Sequence, residues 1–144
     1  MDSEMEALER RVWQRVTAEA PGTDDPASGV HLSPRAAGIL RGLSLRARGA
    51  RQELLRRLAA EELETLAVLR GIQRFRCQKE TETVVMNPPP EPEAALLRQC
   101  IQLQRELWVF FASRAAAPEF GPVYQALADG ERRRLTQALA LLGR

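Results

Sequence analysis

The chain carries one histidine, His31, and two cysteines, Cys77 and Cys100. A single imidazole excludes any catalytic scheme built on two, and no Ser, Cys or Asp pattern around His31 reads as a triad. His31 is expected in a loop, exposed to solvent. The cysteines form no CxxC pair, which excludes a zinc ribbon or a thioredoxin-type site. Two are also too few for a disulfide scaffold. Cys100 falls on an apolar helical face and reads as a small core residue. Cys77 falls at a helix end, where it would be a free thiol. The chemistry left is that of carboxylates and guanidinium groups, and it depends on which helix faces carry them.

The elements that must position those groups are helical. The 144 residues suit one domain, and 20 Leu, 21 Ala and 20 Arg, all strong helix formers, dominate them. Aromatics are 5% of the chain, which disfavours a β-rich fold. No run approaches the roughly 18 apolar residues of a membrane span, and no signal-peptide pattern opens the chain. A cytoplasmic protein with no membrane partner is expected. The net charge of +2 does not by itself argue for nucleic acid.

Ser3 with Glu6 forms a capping-box pattern, and Met5, Leu8, Val12 and Val16 follow at helical spacing beside Trp13. Residues 1–32 thus read as an N-terminal amphipathic helix and a loop (21–30). Residues 33–144 read as a helical bundle. Ser33-Pro34 predicts the start of helix A, which runs to about Arg48, with Gly49 as its breaker. Helix B covers about Arg51–Arg76, with Leu55, Leu58, Leu66, Leu69 and Ile72 on one side. Pro88, Pro89, Pro90 and Pro92 force an extended stretch. Helix C follows from about Glu93 to Ala116. Helix D runs from Glu119–Pro122 to Leu142, with Gly143 as a C-cap.

Loop lengths carry the topology. Short A–B and C–D links imply two antiparallel hairpins. A helix of 25 residues is about 37 Å long, and a 16-residue extended link reaches at most about 55 Å. The link can cross the bundle and let B and C run parallel. Helix A is expected to be shortened, leaving part of the core for the lead helix or a second copy to cover.

Three stretches resemble the ferritin-like, rubrerythrin-like di-iron carboxylate superfamily: residues 54–75, 108–115 and 118–142. The Pro-rich crossover also resembles small ferritin-like proteins of anaerobic bacteria. The resemblance spans about residues 34–142. It implies a four-helix bundle binding two iron or manganese ions through a Glu on one helix of each hairpin and a Glu-x-x-His on the other. Carboxylates suit such hard cations and can bridge them.

The corresponding positions here are altered. Helix B reads Glu61-x-x-Glu64, and helix D reads Glu131-x-x-Arg134, so both His ligands are missing. A helical wheel puts Glu61 and Glu62 within the apolar arc and Glu64 at its edge. Glu131 falls at the centre of its face, with Arg134 on the same face. Helix A has no acid from Pro34 to Arg48, and helix C turns Glu106 away while Gln104 takes the centre of its face. The resemblance therefore implies a degenerate member. Glu61, Glu64, Glu131 and Glu106 are vestigial positions, Arg134 stands for a ligand, and neither catalytic residues nor a cofactor is expected.

The leading expectation is a non-catalytic structural or interaction module whose inward Glu61 and Glu131 pair with Arg134. One alternative is a residual carboxylate site holding iron or manganese in a metal-binding or redox protein. Another is a basic nucleic-acid-binding module using Arg35, Arg41, Arg46, Arg48, Arg51, Arg56 and Arg57. Those arginines spread around the helix without interleaved aromatics, which disfavours nucleic acid. Trp108, Phe110 and Phe111 on helix C, or the lead helix with Trp13, offer a surface for a homo-oligomer.

Overall fold

A computed structural model describes residues 5–12 and 27–143, apart from 83 and 89, and only the backbone of Ala27 and Ser28. It is all-helical: α1 (residues 5–12), α2 (Ala27–Arg46), α3 (Gly49–Phe75), α4 (Glu93–Ser113) and α5 (Gly121–Leu142). The Ser3 cap, Trp13 and Val16 of the expected lead helix lie outside the described residues.

The first bundle helix begins at Ala27, so the last four residues of the expected loop (27–30) and the boundary at residue 33 fall inside α2, while residues 21–26 lie outside the described residues. Pro34 is an interior residue of α2, not its first turn. An interior proline removes one backbone hydrogen bond and costs about 3 kcal/mol. Packing offsets that cost: Val30 and Ser33 are fully buried, and Gly29 lies against Leu69 and Phe110. His31 is accordingly a helical residue, exposed as expected. At 20 residues α2 is not shortened relative to α4 and α5, with 21 and 22.

Gly49 opens α3 at φ +62°, in the left-handed region where a Cβ is strained. That conformation turns the chain back after α2. Gly143 is different: it caps α5 at φ −78°, which needs no glycine.

Contacts at the helix ends give the topology. The start of α3 meets the start of α4 through the Arg51–Glu93 ion pair. The end of α3 meets the start of α5 through Phe75 edge-on to Phe120 at 5.3 Å and Arg76–Glu119 at 3.4 Å. The start of α2, at Gly29, meets both the end of α3 and the end of α4. Thus α3 and α4 run parallel, each hairpin is antiparallel, and residues 76–92 cross the length of the bundle. Close backbone packing joins α2 to α3, α4 to α5 and α2 to α4.

Arginines hold the crossover in place. Arg41 donates to the carbonyl of Val85 at 3.0 Å, and Arg46 donates to that of Glu91 at 2.6 Å. The lead helix belongs to the same core. Leu8 and Val12 are buried in it, and Arg132 of α5 pairs with Glu9. Trp108, Phe110 and Phe111 are also buried, at 4%, 6% and 0% exposure. The helix C aromatics therefore pack inside the chain's own core rather than presenting an oligomer surface. No helix among the described residues is long and apolar enough to cross a membrane.

Candidate functional site: a buried carboxylate–arginine cluster

On α3 the apolar stripe passes through Leu55, Leu58, Leu66 and Leu69, all buried, and Glu62 fills the gap between Leu58 and Leu66. Helical spacing therefore drives a carboxylate into the core. On α5, Glu131 and Arg134 occupy the buried stripe between Ala128 and Leu135. On α4, Cys100 and Gln104 share one buried face. From α2, the buried Ser33 hydroxyl donates to the backbone carbonyl of Glu62 at 2.7 Å. Each of these four helices thus contributes to one polar centre.

Arg134 organises it. Its Nη2 donates to Glu131 at 2.9 Å and to the Thr65 hydroxyl at 3.2 Å. Its Nε lies 3.5 Å from Glu62, and its Nη1 lies 3.6 Å from Glu61. Glu61, half-buried at the margin, also pairs with Arg133. Burial opposes the Arg134 charge, but Glu131 and Glu62 outweigh it and raise its pKa above the usual value. A buried cation needs such partners to survive desolvation.

Two buried carboxyls face one guanidinium, so their charges do not cancel if both are ionised. Burial is the largest influence on Glu62, and the neighbouring Glu131 adds to it; together they push its pKa well up against the opposing pull of Arg134. Geometry gives the same result. With both carboxylates ionised, the two oxygens of Glu62 and Oε2 of Glu131 are buried acceptors with no donor. A proton on Glu62 turns its approach to Glu131 into a hydrogen bond and makes the trio neutral. The buried Gln104 amide, like Arg134, pulls the Glu62 pKa down, but less strongly than burial and Glu131 push it up. Burial first, then Glu62 and Glu131, raises the Cys100 thiol and keeps it protonated.

The positions implied by the resemblance separate here. Glu61, Glu131 and Arg134 are brought together. Glu64 is exposed on α3, and Glu106 lies at the surface of α4, accepting from Gln102 at 3.3 Å. Glu62, Thr65 and Cys100 belong to the cluster but were absent from that set. Their signal was available in part: Glu62 is four residues from both Leu58 and Leu66.

The donor set does not fit a pair of divalent ions. α2 has no acid along its length, α4 supplies an amide, and the two buried carboxyls are committed to Arg134 and to each other. Among the described residues, no three His, Cys, Asp or Glu side chains are grouped so as to hold a metal ion. Comparison with known proteins finds no matching family model, curated protein or solved structure.

Proposed function

We propose that the chain is a degenerate ferritin-like bundle in which an internal ion network stands where a di-metal centre would be. On this reading it acts as a non-catalytic structural or interaction module. The observation that carries the reading is the Arg134 guanidinium, ion-paired at 2.9 Å to Glu131 and near Glu62 and Glu61. A fixed internal cation supplies the charge that would otherwise balance the carboxylates, and it repels a second cation from the same space. Two antiparallel hairpins joined by a long crossover support the ferritin-like part. Both described cysteines are free, which suits a reducing compartment, and the reading includes a cytoplasmic location.

The basic stretch supports this reading over a nucleic-acid module. Arg41, Arg46 and Arg51 are engaged with the crossover and with the start of α4. Elemental analysis of the full chain, purified without chelator, tests the proposal. Iron, manganese and zinc far below one per chain are expected. Stoichiometric metal would overturn it.

A further inference from the structure

The crossover leaves two large apolar side chains outside the core: Val84 and Met86 are 81% and 74% exposed. With Pro34 and Ile39 of α2, and with Pro88, they line an open groove of about 360 Å³. That volume lies within the range of small-molecule sites. The walls are held in place. Arg41 donates to the Val85 carbonyl at 3.0 Å and to Asn87 Oδ1 at 3.3 Å. The backbone of Met86 approaches Gly38 so closely that no Cβ would fit between them. A groove formed in advance binds without the cost of ordering its walls.

The groove adjoins a basic hollow. Arg35 and Gln99 border the groove and also a second space of about 420 Å³, to which α4 adds Arg98, Gln102 and Leu103. Among the described residues, neither Arg35 nor Arg98 has a hydrogen bond or an ion pair from its side chain. Arg41, Arg46 and Arg51 differ in this, each being engaged within the chain. Glu91 accepts from the Gln99 amide rather than from either arginine. Two guanidinium groups thus stand without a counter-charge beside an apolar groove.

The molecule that matches this arrangement is built the same way, as an alkyl chain ending in an anion. We propose that this face binds a small amphiphile of the fatty-acid class. The alkyl chain lies against Ile39, Val84, Met86 and Pro88, and the carboxylate sits between Arg35 and Arg98. A planar guanidinium fork suits a carboxylate, and its charge strengthens the hydrogen bonds. The alkyl chain takes the two exposed apolar side chains out of water, and the head group supplies the missing negative charge. No residue of this site belongs to the Arg134 cluster, so its test is independent of the metal analysis.

The test is titration calorimetry of the full chain with sodium decanoate, at concentrations where decanoate forms no micelles. Saturable binding of one decanoate per chain is expected. Octanoate, two methylenes shorter, should bind about ten-fold more weakly. Arg35→Ala and Arg98→Ala should each weaken decanoate about ten-fold, as for losing a hydrogen bond to a charged group. Decanol, with the same tail and no charge, should bind wild type more weakly than decanoate and be indifferent to both arginine substitutions. Val84→Asp combined with Met86→Asp should abolish decanoate binding with unchanged helical circular dichroism, since both side chains are exposed. Absence of saturable binding to wild type, uptake of several decanoates per chain, decanol binding as well as decanoate, or variants that bind as wild type does would each overturn the proposal.

Discussion

Arg134 donates to Glu131, one helical turn before it on α5, at 2.9 Å with both side chains buried. The pair is both a local i,i+3 contact and the counter-charge for a carboxyl arriving from α3. Removing the guanidinium leaves Glu131 in the core without a cation. Arg134→Met should cost about 3–5 kcal/mol, read by chemical denaturation. Adding Glu131→Gln to that variant should recover a large part of the loss. An Arg134→Met chain as stable as wild type would show that the ion pair contributes nothing.

Glu62 sets the pH dependence. Burial and Glu131 raise its pKa above the ordinary 4.5, so the folded chain holds this proton more tightly than the unfolded one. Its stabilising contribution is full below the unfolded pKa and is lost as pH rises through the folded pKa. Wild-type stability should therefore fall as pH rises above the ordinary 4.5 toward the raised folded value. Glu62→Gln, which mimics the neutral acid, should flatten that slope and be neutral or stabilising at pH 7. Parallel slopes for the two proteins would contradict the protonated assignment.

Gly38 and Gly42 form a flat lane on α2 for the crossover. A Cβ on Gly38 would collide with the backbone oxygen of Met86, and one on Gly42 would lie 2.7 Å from the Pro88 ring. Either glycine changed to alanine should cost about 1–3 kcal/mol through overpacking. Gly71, inside α3, has nothing within 4 Å of an added Cβ. Gly71→Ala should instead stabilise by about 0.8–1 kcal/mol from helix propensity. Thermal melting of the three variants checks the contrast, and a stabilised Gly38→Ala would count against the close approach.

Thiol accessibility checks the core. Cys77 is exposed, just beyond the end of α3, whereas Cys100 is buried beside the carboxyl pair. A thiol reagent should label one site per chain quickly and the second only on unfolding. Rapid labelling of both would mean that the α4 face carrying Cys100 is open.

Much of the architecture was legible from local pattern. Leu55, Leu58, Leu66 and Leu69 marked the inner face of α3, and the run from Pro88 to Pro92 marked the crossover. Pro34 misled because its local cost is visible in sequence, whereas the burial of Val30 and Ser33 that offsets it depends on α3 and α4. The cluster was half legible. Glu131 and Arg134 sit mid-stripe, so periodicity placed them. Glu61 and Glu62 both fall within the arc, and only the packing of α4 and α5 decides that Glu62 goes to the centre and Glu61 to the margin. The aromatics of α4 looked usable as an interface because sequence alone cannot show that Tyr124 and Arg132 of α5 and the start of α2 already pack against them.

Thermal unfolding with and without added manganese or ferrous ion tests the central claim most directly. A ligand that binds only the folded state raises the melting temperature by mass action. With Arg134 filling the space between Glu61, Glu62 and Glu131, the expected result is an unchanged melting temperature at excess metal. A rise that saturates at one or two ions per chain would contradict it.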